Sequence, residues 1–492
     1  MQRKTLFCLI VLSSLFFLSR FYNILSLPIF IDEAIYIQWA QVAKSNSSLR
    51  FISLVDGKQP LFIWFVASLV GIFKDPLLAG RTISVIAGFL SMIGLFFLTK
   101  ELFKSYLIGF FSAFIYLIYP FALVLDRLAL YDSLVGAFAV WSMYFSVLLV
   151  RLLRLDLALI LGMILGGGIL TKTSSFFSIY LLPLTLFFIN FKNRKLFLRW
   201  AGLFSFSVIL AYAHYNILRL SPNFYQISQK NGFFINDLSG FLLNKFYFNF
   251  FQNITSLSSW IITYFTFSMI FLIIISFFIS KKYLKEKIFL FLWFIIPFLL
   301  LALFGRIFFP RFVFFMTLYL IPLISFSLAE ILRRFRIKIF IPLFIVIIFQ
   351  MITADYYVLS DFKKAPIPKI DLNQFVNDWP SGRGIKETIA YLENISKKEK
   401  IYVVSEGIYG SLPTTSLEIY LKNNKNIQRT AIEPIPEEMS KELKDKVCKY
   451  RSFLLLNQMQ FPPSAWPAEI VFKYKKGEGN SYLSLYKIRC SL

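Results

Sequence analysis

Long apolar runs, repeated along the first 354 residues, are the feature that most limits how this chain can fold. Each run has roughly 15–23 residues, close to the length that an α-helix needs to cross the hydrocarbon core of a membrane. Lys and Arg form short clusters between the runs, for example at 100–104, 192–195 and 281–287. Because basic residues are enriched in cytoplasmic loops, these clusters predict which ends of the runs face the cytoplasm. The chain is therefore expected to be a polytopic helical membrane protein.

The composition supports a membrane protein and argues against a nucleic-acid-binding protein. Hydrophobic residues make up 57% of the 492 residues, and the net charge is +25. So basic a chain suggests nucleic acid as a partner, but the Lys and Arg residues lie in short clusters between apolar runs. That placement is typical of cytoplasmic membrane loops. We therefore expect membrane lipid, and no nucleic acid, among the partners.

Threading the apolar runs between the basic clusters predicts about eleven spans. Their approximate bounds are 5–22, 81–99, 107–125, 134–150, 155–170, 176–191, 199–218, 257–280, 288–304, 312–331 and 339–354. The first run lacks a small-residue cleavage site and is interpreted as an uncleaved span. Leu61–Phe73 is too short to cross and is interpreted as an interfacial or re-entrant helix. The longest predicted external segment among the later spans is 219–256.

Residues 355–492 differ in character and are expected to form a second domain. After the proline-rich linker Ala365–Leu372, the residue patterns predict short helices and strands. The predicted helices are 384–396 and 416–422, and the predicted strands are 400–405, 427–432, 453–456, 468–474 and 482–488. The fold class is thus mainly α: a transmembrane bundle over residues 1–354 with external loops, and a small C-terminal α/β domain over residues 355–492 outside the membrane.

The three cysteines have no metal-ligand spacing. Cys8 lies inside an apolar run, so a disulfide can join only Cys448 to Cys490, and nothing in the sequence requires it.

Acidic residues are rare in the membrane part, where residues 1–354 contain 11 Asp and Glu. Three of them, Asp32, Glu33 and Asp56, lie in the first loop after the first span. Charge next to lipid is costly, so a carboxylate pair there needs a reason. One interpretation is a solvated loop end in which Asp32 caps the helix Glu33–Lys44. The other is a catalytic carboxylate at the membrane surface.

The predicted topology brings a mixed set of charges to one membrane face. These residues are Asp32, Glu33, Asp56, Lys58, Arg81, Arg127, Asp132, Lys172, Arg306 and Arg311. A carboxylate can act as a general base on a hydroxyl nucleophile, and several Lys and Arg can hold a phosphate. Single basic residues at span ends usually anchor lipid headgroups, and aromatic residues nearby usually form the interfacial belt. As a set, these charges favour a catalytic site with a carboxylate base and cations that hold a phosphate.

Several short motifs follow one another in the order seen in a known superfamily. They are Ile31–Tyr36 (IDEAIY), Asp56–Trp64 (DGKQPLFIW), Ala79–Arg81 (AGR), Arg127–Leu134 (RLALYDSL), Leu170–Ser174 (LTKTS) and Gly305–Phe315 (GRIFFPRFVFF). This pattern resembles the GT-C glycosyltransferases of the protein O-mannosyltransferase and lipid A aminoarabinose transferase type. The resemblance covers about residues 1–330. Two positions depart from the family, with Gln59 where Pro is usual and Phe312 where Tyr is commoner.

The resemblance implies a role for each predicted site residue. Asp32 would be the catalytic base, with Glu33 as its neighbour, and Asp132 would help to position the substrate. The donor phosphate would be held by Lys58, Arg81, Arg127, Lys172, Arg306 and Arg311. The implied reaction moves a sugar, with inversion, from a polyprenyl-phosphate donor to a glycan, lipid or protein acceptor at the extracytoplasmic face of the plasma membrane. The resemblance implies no definite cofactor and leaves a divalent metal open.

Two other functions remain open in the sequence. A transporter or flippase of lipid-linked sugars would place ionisable groups and broken helices at mid-membrane, and Gly166–Gly168 and Pro297 fit that pattern weakly. Alternatively, the C-terminal domain is a binding module and the membrane part is its anchor, although about eleven spans exceed what an anchor needs.

Overall fold

The computed structural model describes residues 3–189, 193–236, 246–408 and 410–490. Residues 190–191 of the predicted span 176–191, Lys192 of the cluster 192–195, and residues 237–245 of the loop 219–256 lie outside this part. The chain divides into two compact units, each built from separate stretches of sequence. The helical unit comprises Met1–Asn23, Ser47–Phe65 and Arg81–Pro368, and the mixed unit comprises Ile24–Asn46, Val66–Gly80 and Lys369–Leu492.

Helices dominate the structure. Those in the first half are α1 (Arg3–Phe21), α2 (Ile31–Ser45), α3 (Leu61–Leu69), α4 (Pro76–Phe103), α5 (Tyr106–Leu117), α6 (Pro120–Asp126), α7 (Tyr131–Leu152), α8 (Leu155–Thr171), α9 (Phe176–Tyr180), α10 (Arg194–Asn216) and α11 (Gln226–Phe234). Those in the second half are α12 (Phe246–Phe278), α13 (Leu284–Phe304), α14 (Phe314–Thr317), α15 (Ile321–Arg334), α16 (Ile337–Ser360), α17 (Lys369–Leu372), α18 (Ile385–Ser396), α19 (Leu412–Leu421) and α20 (Lys441–Lys449).

The predicted spans coincide with apolar helical segments. Among the described residues, seven helices are long and apolar enough to cross a membrane: Pro76–Phe103, Tyr131–Leu152, Arg194–Leu220, Asn249–Phe278, Leu284–Phe304, Phe314–Arg334 and Ile337–Ser360. An eighth candidate is the pair α5 and α6, which is bent by 60° where Pro120 begins the second helix. Three shorter apolar segments, Thr5–Phe21, Leu155–Thr171 and Thr173–Phe188, occupy the remaining predicted positions. The prediction of a polytopic helical bundle is confirmed.

Helix α3 does not have the length of a span. It contains nine residues, which corresponds to about 14 Å at 1.5 Å per residue. The hydrocarbon core is roughly 30 Å thick. The expectation that Leu61–Phe73 does not cross the membrane as a single helix fits this length.

Small residues let the helices of the bundle approach closely. A Cβ atom on Gly162 would lie 2.9 Å from the carbonyl oxygen of Ser207 on α10, and one on Gly166 would lie 2.9 Å from His214. The Ser207 hydroxyl donates to the carbonyl oxygen of Ala158 at 2.8 Å, which links α10 to α8. Such small-residue contacts are typical of helix pairs in membranes. Helix α8 remains continuous through Gly166–Gly168, and α13 remains continuous through Pro297.

The mixed unit contains one five-stranded sheet. Its strands are β1 (Ile401–Glu406), β2 (Ile427–Ile432), β3 (Arg451–Leu456), β4 (Ala468–Lys475) and β5 (Tyr482–Ile488), in the order β2-β1-β3-β5-β4. Strand β1 pairs in parallel with β2 and β3, whereas β5 pairs antiparallel with β3 and β4. Helices α19 and α20 make the two crossovers that parallel pairing requires. All five predicted strands are present to within two residues, so the small α/β fold is confirmed.

A disulfide between Cys448 and Cys490 joins the end of α20 to the chain just after β5. The helix buries Leu443 and Val447 against one face of the sheet, where Tyr402 and Leu454 also lie. The disulfide therefore fastens a helix that is already packed on the sheet.

The segment that follows α1 folds in part with the C-terminal residues. Within the mixed unit, α2 packs on α19, where the Gln38 amide donates to a Glu418 carboxylate oxygen at 2.9 Å and the Gln41 amide donates to the carbonyl oxygen of Ile419 at 3.2 Å. On the basis of sequence, this segment was assigned to the domain of residues 1–354. In the structure, Ile24–Asn46 and Lys369–Leu492 belong to the same unit.

Candidate active site

The predicted site residues are distributed over both units. Asp32 and Glu33 lie in the mixed unit, on the first turn of α2. The other seven lie in the helical unit: Lys58, Arg81, Arg127, Asp132, Lys172, Arg306 and Arg311.

Glu33 rather than Asp32 caps α2. The helix begins at Ile31 and its N-cap residue is Phe30, so Asp32 is not the cap residue. A carboxylate oxygen of Glu33 accepts a hydrogen bond from the Phe30 backbone N–H at 2.9 Å, and the Glu33 side chain is fully buried. This reciprocal bond is one half of a capping box. Asp32 is half-buried in the same turn, where the positive end of the helix dipole favours a negative charge.

The stretch from Asp56 to Lys58 is fixed against α11, which lies in the segment 219–256. The two carboxylate oxygens of Asp56 bind different ammonium groups, that of Lys58 at 3.2 Å and that of Lys230 on α11 at 2.5 Å. Gly57 between them has a φ of +65°, and a Cβ there would lie 2.4 Å from the carbonyl oxygen of Gln226. Only glycine fits both the backbone conformation and this close approach.

Lys172 forms an ion pair with Asp132. The distance from Nζ to Oδ1 is 2.7 Å, and the Asp132 side chain is 7% exposed. The Lys172 ammonium also lies 4.7 Å from the centre of the Phe312 ring, in a cation–π contact. Phe312 directly follows Arg311, so this pair lies beside the GRIFFPRF segment.

Gln59, the departure from the family pattern, links two parts of the site. It is 3% exposed, and its amide donates to the Thr173 hydroxyl at 2.7 Å. Gln59 follows Lys58, and Thr173 follows Lys172. The glutamine therefore ties the loop that carries one predicted cation to the loop that carries another.

Arg306 and Arg311 lie at the two ends of a short segment after α13. The Arg306 backbone N–H donates to the carbonyl oxygen of Phe234 at 2.8 Å, which fixes the start of the segment at the end of α11. The Arg306 side chain is exposed, whereas Arg311 is half-buried with its guanidinium carbon 5.5 Å from the centre of the Phe309 ring. Both lie in the unit that holds Lys58 and Lys172.

Arg81 and Arg127 are buried. Arg81 is fully buried in α4, and Arg127 is 5% exposed. The Arg127 guanidinium donates to the carbonyl oxygens of Ser19, Arg20, Tyr22 and Asn23, at 2.6 to 3.1 Å. Ser19 and Arg20 lie in the last turn of α1, where backbone carbonyls lack N–H donors within the helix, and Tyr22 and Asn23 directly follow it. Arg127 therefore caps α1.

Sequence reasoning missed a buried ion pair beside these residues. The Arg20 Nε atom lies 3.3 Å from an Asp126 carboxylate oxygen, and both side chains are fully buried. Asp126 also accepts from the Ser133 hydroxyl at 2.8 Å and from the Tyr116 hydroxyl at 3.2 Å. Charges at the ends of two apolar runs were the available signal, but sequence alone could not pair them. The cluster joins α1, α5 and α6 to the start of α7, where Asp132 lies.

Comparisons with known proteins agree with this architecture. Residues 57–218 match the family model described as dolichyl-phosphate-mannose-protein mannosyltransferase. The fold is similar to that of ArnT from Cupriavidus metallidurans bound to undecaprenyl phosphate, with a TM-score of 0.59, 12% identity, and coverage of 98% of this chain and 97% of that chain. The apo form of that protein gives a TM-score of 0.56 at 11% identity, with the same coverage. No curated protein matches the sequence.

These comparisons confirm the resemblance to the GT-C glycosyltransferases. At 12% identity, the structural likeness establishes the fold rather than the activity. The family model spans Lys58, Arg81, Arg127, Asp132 and Lys172, and ends before Arg306 and Arg311. Asp32 and Glu33 precede it.

Proposed function

We propose that the chain is an integral-membrane glycosyltransferase of the inverting type, which moves a sugar from a polyprenyl-phosphate donor to an acceptor. One observation carries the proposal, namely the contacts around the ion pair of Lys172 and Asp132 within a GT-C fold. The Lys172 ammonium contacts Phe312, the neighbour of Arg311, and Thr173 accepts a hydrogen bond from Gln59, the neighbour of Lys58. Cations gathered around a carboxylate suit a phosphorylated lipid better than a neutral one. The similar ArnT structure is bound to undecaprenyl phosphate, which supports this class of donor.

In the proposed reaction Asp32 takes the proton of an acceptor hydroxyl. The acceptor oxygen then forms a bond to the anomeric carbon, while the bond from that carbon to the phosphate oxygen breaks. The electron pair leaves with the phosphate, so the products are the glycosylated acceptor and polyprenyl phosphate, and attack from the opposite side inverts the anomeric centre. The acceptor is a glycan, a lipid or a protein.

The proposed roles of the basic residues follow from their exposure. Lys58, Lys172, Arg306 and Arg311 are at least partly exposed and would neutralise the donor phosphate as it becomes the leaving group. Arg81 and Arg127 are buried and would support the fold of the site instead. Glu33 would support Asp32 by holding the first turn of α2.

We place the reaction on the extracytoplasmic face of the plasma membrane. The basic clusters between spans support this orientation because they favour the cytoplasmic side. The disulfide in the mixed unit, which also contains Asp32, supports it independently. Disulfides persist in oxidising compartments and are rare in the cytosol.

The two sequence features that fitted the transporter alternative do not break a helix in the structure. Gly166–Gly168 and Pro297, the two features that fitted it, lie inside continuous helices. The glycines serve close packing instead, since Gly166 contacts His214 on α10.

A reconstitution experiment separates the two functions. The protein is placed in liposomes with polyprenyl-phosphate-linked sugar extracted from bacterial membranes, and a cell extract supplies acceptors. A glycosyltransferase releases polyprenyl phosphate, which mass spectrometry detects, and the Asp32→Asn variant does not. A flippase would instead make the donor accessible to an added glycosidase at the opposite leaflet without consuming it, and that result would overturn the proposal.

A further inference from the structure

The turn that carries Asp32 is paired with a strand-like segment near the C-terminal sheet. The Ile31 backbone N–H donates to the carbonyl oxygen of Pro380 at 3.0 Å, and the Gly382 N–H donates to the carbonyl oxygen of Ile29 at 2.8 Å. Phe30 and Ser381 form the antiparallel bridge between these two bonds. Ile31 is the first residue of α2, and its N–H has no acceptor within the helix. Pro380 therefore supplies the missing acceptor at the start of the helix.

Gly382 allows the two paired segments to approach closely, because it has no side chain. A Cβ atom at this position would lie 2.4 Å from the Ile29 carbonyl oxygen and 2.5 Å from the Ile29 side chain. Contacts below 3.0 Å force one of the two segments to move, and here one contact atom belongs to the backbone. Any larger residue at 382 would push the pairing segment away from the turn that holds Asp32.

Two buried side chains fix the pairing segment to the sheet. Lys476 follows β4 and donates from Nζ to the Trp379 carbonyl oxygen at 3.0 Å and to the Asn457 side-chain oxygen. The Asn457 amide also donates to the Trp379 carbonyl oxygen at 3.0 Å. Lys476 is fully buried and Asn457 is 1% exposed. Since Trp379 precedes Pro380, these bonds hold the carbonyl that accepts from Ile31.

The hydrogen bonds continue into the sheet. The Asn457 backbone N–H donates to a Glu406 carboxylate oxygen at 2.6 Å, and the N–H groups of Gln458 and Met459 donate to the same carboxylate at 2.8 Å. Glu406 is the last residue of β1, the strand between β2 and β3. The far side of α2 is fixed separately, by its contacts with Glu418 and Ile419 on α19.

We infer that the C-terminal α/β domain orients the catalytic turn, and that Gly382 and Lys476 are positioning residues for Asp32. The inference rests on the proposed role of Asp32 as the base. A base must lie within hydrogen-bond distance of the acceptor hydroxyl, and a displacement of about 1 Å can lower turnover by roughly 100-fold. A domain that fixes the first turn of α2 by backbone pairing therefore controls turnover without touching the substrate.

Hydrogen exchange in the full-length protein tests the positioning directly. The variant is Gly382→Ala, and the control is Val447→Ala, which opens a cavity in the core of the same domain without touching the pairing segment. Gly382→Ala is expected to speed exchange of the Phe30–Ala34 amides, whereas Val447→Ala lowers the melting temperature and leaves those amides unchanged. Unchanged exchange in Gly382→Ala would overturn the inference. Lys476→Met, which removes the ammonium donors and keeps an apolar stem, provides a second variant in case the first fails to fold.

Kinetics separate this inference from the proposed function. Release of polyprenyl phosphate from the extracted donor lipid is measured for Gly382→Ala, Asp32→Asn and the double variant. Gly382→Ala should lower kcat by about 10- to 100-fold with an unchanged donor KM, and it should cost little further activity in the Asp32→Asn background. A fully active Asp32→Asn protein would reject the proposed base and leave the exchange result standing. Fast exchange together with an unchanged kcat would overturn the catalytic part of the inference.

Discussion

The Lys172 ammonium donates to an Asp132 carboxylate oxygen at 2.7 Å. Lys172 directly follows α8, and Asp132 lies in the first turn of α7. The carboxylate is nearly buried, whereas the ammonium is 29% exposed. The cation is therefore the member of the pair that a phosphate can reach. Asp132 would hold it in place.

The first prediction is that Lys172 and Asp132 act as a unit. Lys172→Met and Asp132→Asn should each lower kcat/KM for release of polyprenyl phosphate, and the double variant should be little worse than either. Residues in contact typically show coupling energies of about 0.5–3 kcal/mol in such a cycle. Additive losses would mean that the two side chains work independently.

The second prediction separates two adjacent carboxylates. Asp32→Asn should leave expression and donor binding intact and lower turnover by about 100-fold or more, because an amide cannot take up a proton. Glu33→Gln should lower the melting temperature, since the buried side chain caps α2 at Phe30, with a smaller loss of turnover. Turnover and thermal unfolding are measured on both variants. Equal activity of Asp32→Asn and the wild type would reject the mechanism.

The third prediction concerns the donor phosphate. Arg306→Ala and Arg311→Ala should each raise the donor KM, because a hydrogen bond to a charged group contributes roughly 1.5–3 kcal/mol. Arg219→Ala is the control, since Arg219 is exposed like Arg306 and lies in the predicted external loop 219–256, outside the proposed set. A donor KM that rises equally in all three variants would indicate a general surface charge effect.

The fourth prediction concerns orientation and uses a Cys8→Ser background, because Cys8 is the one cysteine outside the disulfide. Cysteines placed at Ser45 and Lys425, both exposed in the mixed unit, should react with an impermeant thiol reagent added to intact cells. A cysteine at Lys282, in a basic cluster, should react only after the cells are opened. Labelling of Lys282→Cys in intact cells would mean that the predicted orientation is wrong.

The fifth prediction is a pH dependence of stability that arises from Lys476. Burial lowers the pKa of this lysine from 10.5 to about 7, opposed by the nearby carboxylates of Glu406 and Asp378. Between pH 7 and 10.5 the unfolded chain therefore binds more protons at this position than the folded chain, so the free energy of unfolding contributed by Lys476 should rise with pH in this window. Below pH 7 the full cost of burying the ammonium is present.

Thermal unfolding of wild type and Lys476→Met across pH 6 to 10 checks this sign. The melting temperature of the wild type should rise relative to that of the variant as the pH increases. If the melting temperatures of the two proteins change in parallel with pH, Lys476 keeps its proton in the folded protein throughout this range.

The sequence predicted those features that local patterns determine. Apolar runs and basic clusters located the spans, and residue alternation located the five strands to within two residues. The order of short motifs also indicated the GT-C fold. Each apolar run, basic cluster, strand and single motif lies within a window of about 20 residues, so one sequence is enough to detect it.

The features that could not be predicted depend on distant pairs. The hydrogen bond from Ile31 to Pro380 joins residues about 350 positions apart. The ion pair of Arg20 and Asp126 joins α1 and α6, and the residue composition of two helices does not show that they are neighbours. The role of Arg127 as a cap for α1 could not be predicted for the same reason. An arginine beside a membrane span has the sequence pattern of a phosphate ligand, and only the structure shows that its guanidinium binds backbone carbonyls. Gln59, which weakened the resemblance, is a buried link to Thr173.

The pairing of α2 with the segment around Pro380 also sets an order of events during synthesis. Ribosomes add about 5–20 residues per second, so Pro380 emerges on the order of 20–70 s after Ile31. Throughout that interval Gln38 and Gln41 on α2 lack their hydrogen-bond partners Glu418 and Ile419 on α19, which emerge later still. A nascent chain arrested before residue 380 would already contain Lys58, Lys172, Arg306 and Arg311, yet its Asp32 would lack the acceptor that fixes the first turn of its helix.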